Sequence, residues 1–144
     1  HLIKLSVDTA DVADLAAWQA GPGRGPEGLP RHVTRMWPRR ADELLDGGSV
    51  YWVIRGAVLC RQRLLRLEEV RGGDGIARCA LVLDPTLVRV TPAPRRPFQG
   101  WRYLPAEEAP RDIGGWEAGE DDLPPRLATG LAELGVLWEG APKG

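Results

Sequence analysis

The chain has 144 residues, a mass of 15.8 kDa, 43% apolar and 27% charged residues, and a formal net charge of −1. That size makes one domain over residues 1–144 able to bury about 70% of its unfolded surface, which excludes a scaffold dependent on staples. No apolar run approaches the roughly 18 residues of a membrane helix, and the first apolar stretch is too short for a signal peptide, so a cytoplasmic protein is expected.

Leu2 to Val7 alternates apolar and polar side chains and reads as a strand. Asp8, with Asp11 three residues on, offers the N-cap of a helix running roughly to Ala20, with Val12, Leu15, Ala16 and Trp18 as its apolar stripe. Gly21 to Pro30 is a glycine- and proline-rich loop. His32 to Met36 reads as a second strand. Pro38 and Gly47 bracket a short helix whose buried face is Ala41, Leu44 and Leu45. Ser49–Ile54 is a strong strand, Arg55-Gly56 a tight turn, and Ala57 to Val70 a long strand whose broken alternation at Leu64-Leu65 predicts a bulge. A helix over 61–70 is the competing reading.

Residues 72–75 form a turn, and Ile76–Leu83 and Leu87–Val90 are strands. Thr91 to Pro97, with three prolines, is expected to be extended loop, and Phe98–Leu104 a last core strand. Pro105–Ala109 reads as one helical turn and Asp112–Asp122 as exposed loop. Asp122 caps a final helix lined by Leu123, Leu127, Leu131 and Leu134, and Val136–Trp138 forms a short strand. Hairpin-type connections dominate, so the expected fold is α+β: a mostly antiparallel, barrel-like sheet with short helices packed outside.

Cys60 and Cys79 stand without neighbouring His or Cys and fit two reduced, buried thiols, a single disulfide between them being the alternative. No metal or cofactor is expected. Gly23-Arg24-Gly25-Pro26-Glu27-Gly28 matches GxGxxG in letters only, because a helix precedes it and Pro30 and a strand follow. His32 has Thr34 on its face of the strand but no nucleophile elbow beside it, and Asp42, Glu43 and Asp46 read as a solvated helix face. No catalytic residue is assigned.

Charge is unevenly placed. Residues 24–102 hold fifteen arginines against eight acids, and residues 103–144 hold nine acids against three basic residues. Two segments interleave arginine with aromatic rings: Arg35, Trp37, Arg39 and Arg40, then Arg95, Arg96, Gln99, Arg102 and Tyr103, with Arg61 and Arg63 sharing one strand face between them. Guanidinium groups neutralise phosphate and rings stack on unpaired bases, so this pattern predicts a nucleic-acid-binding face.

The strings HVTRMWPRRADELLDGGSVYWVIRG (32–56), GIARCALVLDP (75–85) and PRRPFQGWRYL (94–104) resemble a bacterial family known only as a conserved domain of unknown function. More weakly, a strand ending at Pro38, a short helix closing at Gly47-Gly48 and a strand pair over Tyr51–Val70 resemble the PUA-like barrels (PUA, ASCH, EVE, YTH). That resemblance implies binding of RNA or modified bases. The ASCH pattern G-x-K-x-x-E-x-R is absent, since Val50 follows Gly48 where lysine would stand. The reading is therefore a module binding single-stranded RNA or a modified nucleotide, without a membrane partner. A protein-interaction domain, or a small-molecule enzyme with a pocket of His32, Thr34, Arg35 and Gln99, are the alternatives.

Overall fold

The computed structural model describes residues 1–7, 9–96 and 98–116. In these residues the order is β1 (Leu2–Leu5), α1 (Val12–Ala20), β2 (Arg31–Thr34), α2 (Ala41–Leu45), β3 (Ser49–Ile54), β4 (Ala57–Arg71), β5 (Ala77–Leu83), β6 (Leu87–Pro94), β7 (Trp101–Tyr103) and β8 (Asp112–Trp116). A single 3-10 turn at Ala106–Glu108 occupies the expected place. The expected C-terminal helix and the strand at Val136–Trp138 lie outside the described residues.

β3 is buried along its whole length. Val50, Trp52 and Ile54 join Leu2, Leu15, Leu44, Leu64, Leu81 and Trp101 in the larger core. Tyr51 and Val53 join Ile3, Val58, Val90 and Leu104 on the opposite face. A strand covered on both sides needs a continuous apolar run, which residues 50–54 supply.

Arg55 and Gly56 close the β3–β4 hairpin with φ of 49° and 83°. Two successive positive φ values mark the turn whose twist matches that of the strands it joins. β4 then serves the whole sheet. Ala57–Arg63 pair with β3, Ala57–Arg61 with β6, and Leu64–Arg71 with β5. Its register slips between Leu64 and Arg66, at the bulge the sequence predicted, and no helix forms over 61–70. The result is a curled half-barrel of mixed strands with two short helices among the described residues.

The antiparallel expectation needs one correction. β1 runs parallel to β3, Leu2 opposite Val50 and Leu5 opposite Val53, and antiparallel to β7. The connection from β1 to β3 carries α1, β2 and α2, which is long enough for a crossover. The remaining pairings among the described strands are antiparallel.

Other boundaries also move. α1 starts at Val12 with Asp11 as its N-cap, the Asp11 carboxylate accepting from Asp14 N at 2.8 Å. Asp8 lies outside the described residues. The second strand is Arg31–Thr34 in place of His32–Met36. In α2 only Leu44 is buried, and Leu45 faces outward.

Thr91–Pro94 were expected in a loop but continue β6. Arg95 N donates to Gly56 O at 2.8 Å, so the preceding Pro94 turns its donorless nitrogen away from β4. Gly100, at φ 73°, breaks the strand expected over 98–104 and leaves three residues as β7. Asp112–Trp116, expected in a loop, pair with β6. Arg61 grips Asp112 from two strands away, at 2.6 and 2.7 Å, which helps to hold this glycine-containing edge.

Candidate functional site

Helical spacing puts Val12, Leu15 and Gln19 on the buried face of α1. Trp18, which the sequence placed on that face, is 40% exposed instead. A buried amide is costly unless its hydrogen bonds are met. Gln62 meets them from β4, where it takes a core position in the alternation Val58, Cys60, Gln62, Leu64 and is fully buried. Gln19 Nε2 donates to Gln62 Oε1 at 2.7 Å, and Gln62 Nε2 donates back to Gln19 Oε1 at 2.8 Å. Trp52 Nε1 donates to Gln62 Oε1 at 2.9 Å, and Gln62 Nε2 also reaches Asp84 O at 3.1 Å.

His32 completes this cluster. Its Nε2 lies 3.1 Å from Gln19 Nε2, and its ring packs between Trp18 and Trp52, with centroids at 4.7 and 4.4 Å. Burial, with Lys4 nearby, pushes its pKa down to about 3. The imidazole is therefore neutral at physiological pH.

These rings line a cleft of about 890 Å³, within the size range of small-molecule sites, about 300–1,000 Å³. Lys4, Arg24 and Arg31 supply cations to its lining, and Asp14 supplies one carboxylate, already accepting from Ala10 N at 2.8 Å. Lys4 stands between Trp52 and Trp101 across β1, with Nζ 6.0 Å from the Trp52 ring centroid. Burial lowers its pKa, and no carboxylate among the described residues pairs with it. Arg31 Nε is buried without a hydrogen-bond partner among the described residues. The apolar side chains of Val7, Trp18 and Val33 lie exposed at the mouth.

The loop 21–30 forms one wall of the cleft, and two of its glycines are required there. A Cβ on Gly23 would collide with the Trp18 ring, and one on Gly25 with the Arg31 side chain. Gly23 N donates to Trp18 O at 2.7 Å, and Arg31 N to Gly23 O at 2.8 Å. These glycines allow close approach of backbone to ring and side chain, and they sit in a helix–loop–strand passage.

The family model for Protein of unknown function (DUF1489) matches residues 2–137. The chain belongs to the DUF1489 family. No curated protein and no solved structure matches it.

In this DUF1489 chain the arginine–aromatic residues are distributed as follows. Arg35, Trp37, Arg39 and Arg40 are exposed on the segment that leaves β2, which begins in the cleft wall at Arg31. The segment lies against β7. Tyr103 Oη accepts from Arg39 N at 2.8 Å and Arg40 N at 3.2 Å, the Arg40 guanidinium stacks over the Tyr103 ring at 5.0 Å, and Trp101 Nε1 donates to Met36 O at 3.1 Å. Arg102 stacks on Phe98 at 5.0 Å. Arg61 is engaged by Asp112 and Ser49, while Arg63, Arg96 and Gln99 are exposed and Arg95 is half-buried. Thr34 Oγ1 donates to Met36 O at 2.9 Å, so the His32 and Thr34 side chains are separately engaged.

The DUF1489 cleft also uses residues that the sequence did not mark as site residues: Lys4, Trp18, Gln19, Arg24, Arg31 and Gln62. The available signal was a glutamine at a core position in two elements, Gln19 at i+4 from Leu15 and Gln62 between Cys60 and Leu64. Cys60 and Cys79 are both buried and are not joined in a disulfide, and burial pushes the Cys79 thiol up to about 11. Among the described residues no cluster of three His, Cys, Asp or Glu could hold a metal. No helix among them is long and apolar enough to cross a membrane.

Proposed function

We propose that this chain is a PUA-like binding module for single-stranded RNA or a modified nucleotide, which takes one base into the cleft beside β1 and β2. The observation that carries the reading is the cleft lining: the Trp18, His32 and Trp52 rings together with Lys4, Arg24 and Arg31. Such a lining gives a base the exposed Trp18 ring to stack on, backed by His32 and Trp52, and its phosphate a cationic rim. Arg35, Arg39 and Arg40, continuous in sequence with the Arg31–Val33 wall, provide a path along which the backbone leaves the cleft. Trp37 lies exposed among them. The exposed apolar side chains on this face sit among arginines, which favours a nucleic acid over a protein partner. A general-base role for His32 is disfavoured by its low pKa and its engagement by Gln19.

Tryptophan fluorescence titrated with a mixed-sequence single-stranded RNA oligonucleotide tests the reading. Binding that weakens as salt rises is expected, with Trp18→Ala and Lys4→Gln each losing about tenfold or more. Absence of binding by the wild-type protein at low salt overturns it.

A further inference from the structure

The hydrogen bonds at the floor of the cleft fix each donor and acceptor in turn. The Trp52 indole can only donate, so the Gln62 atom it meets at 2.9 Å is the amide oxygen. The Asp84 carbonyl can only accept, so the Gln62 atom at 3.1 Å from it is the amide nitrogen. Gln62 is thus oriented at both ends by groups whose roles cannot switch. Gln19 lies head to tail against it, at 2.7 and 2.8 Å, which orients Gln19 as well. The remaining N–H of Gln19 faces His32 Nε2 at 3.1 Å. An N–H needs a lone pair opposite it, so Nε2 carries no proton and the ring proton resides on Nδ1.

Trp18 and Trp52 cover the faces of the His32 ring, and Gln19 occupies its Nε2 edge. His32 is more than nine-tenths buried, it lines the cleft, and its hydrogen bond to Gln19 is made at Nε2, which leaves Nδ1 as the ring nitrogen to meet a ligand. Arg31 Nε is a buried donor of the lining without a hydrogen-bond partner among the described residues. His32 Nδ1 and Arg31 Nε are both donors, and a ligand that meets them brings acceptors.

We infer that His32 is the specificity-determining contact of the cleft: a neutral Nδ1–H donor, set by the Trp52–Gln62–Gln19 relay, that reads a carbonyl oxygen or unprotonated ring nitrogen on the bound base. The inference rests on the RNA-binding reading for its ligand, and on the relay alone for the tautomer. The low pKa of the ring keeps it from becoming an imidazolium, which would set N–H against N–H at Gln19.

Long-range ¹H–¹⁵N correlation spectra of the ligand-free protein report the tautomer directly. A pyrrole-like Nδ1 and pyridine-like Nε2 for His32 are expected, with Gln19→Leu mixing the two forms. A proton on Nε2 in the wild type overturns the inference whatever the protein binds. The mixed-sequence RNA oligonucleotide then tests the contact. His32→Leu is expected to weaken binding by about tenfold or more, and His32→Asn, whose amide nitrogen falls near the position of Nδ1, to stay within about threefold. Wild-type binding that His32→Leu leaves unchanged overturns the inference and spares the RNA reading. Wild-type protein that binds no RNA overturns the RNA reading and the ligand contact with it, and the spectrum still decides the tautomer.

Discussion

Gln19 and Gln62, 43 positions apart, exchange two hydrogen bonds of 2.7 and 2.8 Å in the core between α1 and β4. Each amide is buried, and each satisfies a second partner, His32 for one and Trp52 with Asp84 for the other. Their value lies in mutual satisfaction, because a half-met buried network costs more than an apolar replacement of both partners.

Gln62→Leu is therefore expected to destabilise the protein by about 3 kcal/mol, since it strands the Trp52 indole, the Asp84 carbonyl and one face of Gln19. Gln19→Leu costs less. The double variant loses less than the sum of the two, and urea titration of the four proteins closes the cycle. Simple additivity would mean that the pair is not coupled.

Acid stability is expected to carry the signature of His32. Its folded pKa of about 3 lies below the unfolded value near 6.5, so the unfolded chain binds a proton that the folded chain refuses. Stability contributed by the neutral ring is complete above about pH 6.5 and is lost as pH falls towards 3, up to about 5 kcal/mol. Lys4 from β1 and the cleft-lining Asp14, Arg24 and Arg31 are the charged groups on this side. Denaturant midpoints of wild type and His32→Asn, compared from pH 7 to 4, are expected to diverge as acid is added, with the wild type falling faster.

Gly23→Ala is expected to displace the Trp18 ring, because the added methyl falls inside it. A cost of about 1–3 kcal/mol follows from such overpacking, together with weaker RNA binding. Gly73→Ala, which meets open space, serves as the control. Thermal melts and intrinsic fluorescence of the two variants measure the difference.

Cys60 and Cys79 are expected to resist alkylation in the native protein at pH 8. Both are buried, and Cys79 is held at about 11, so little thiolate is available. Mass spectrometry after iodoacetamide treatment, with and without urea, is expected to find both modified only on unfolding.

The sequence carried the central meander clearly. Dense β-branched and aromatic residues over 50–54, the Arg55-Gly56 turn and the interruption at Leu64-Leu65 each left a local mark, and each matches the structure. What it did not carry was non-local. The direction of β1 is decided by which edges of β3 and β7 are free, and nothing in Leu2–Leu5 encodes that. β8 is short of apolar alternation and depends on the edge of β6 and on Arg61. The cleft was illegible for a related reason. Lys4, Trp18 and Arg31 look like ordinary surface or stripe residues until α1, β1 and β2 are brought together. The arginine-rich segments stood out by composition, whereas Gln19 and Gln62 required the helix and strand periods to be combined with a question about polarity.

β1 has a neighbour on each side, β3 from the middle of the chain and β7 from beyond residue 100. Four residues thus act as a plank that seals two strand borders at once. Were that plank to lift, β3 would present an unsatisfied ladder along a strand that is apolar over residues 50–54, which is a template for pairing with another molecule. Damage to the first five residues is accordingly expected to surface as self-association before any measurable loss of helix.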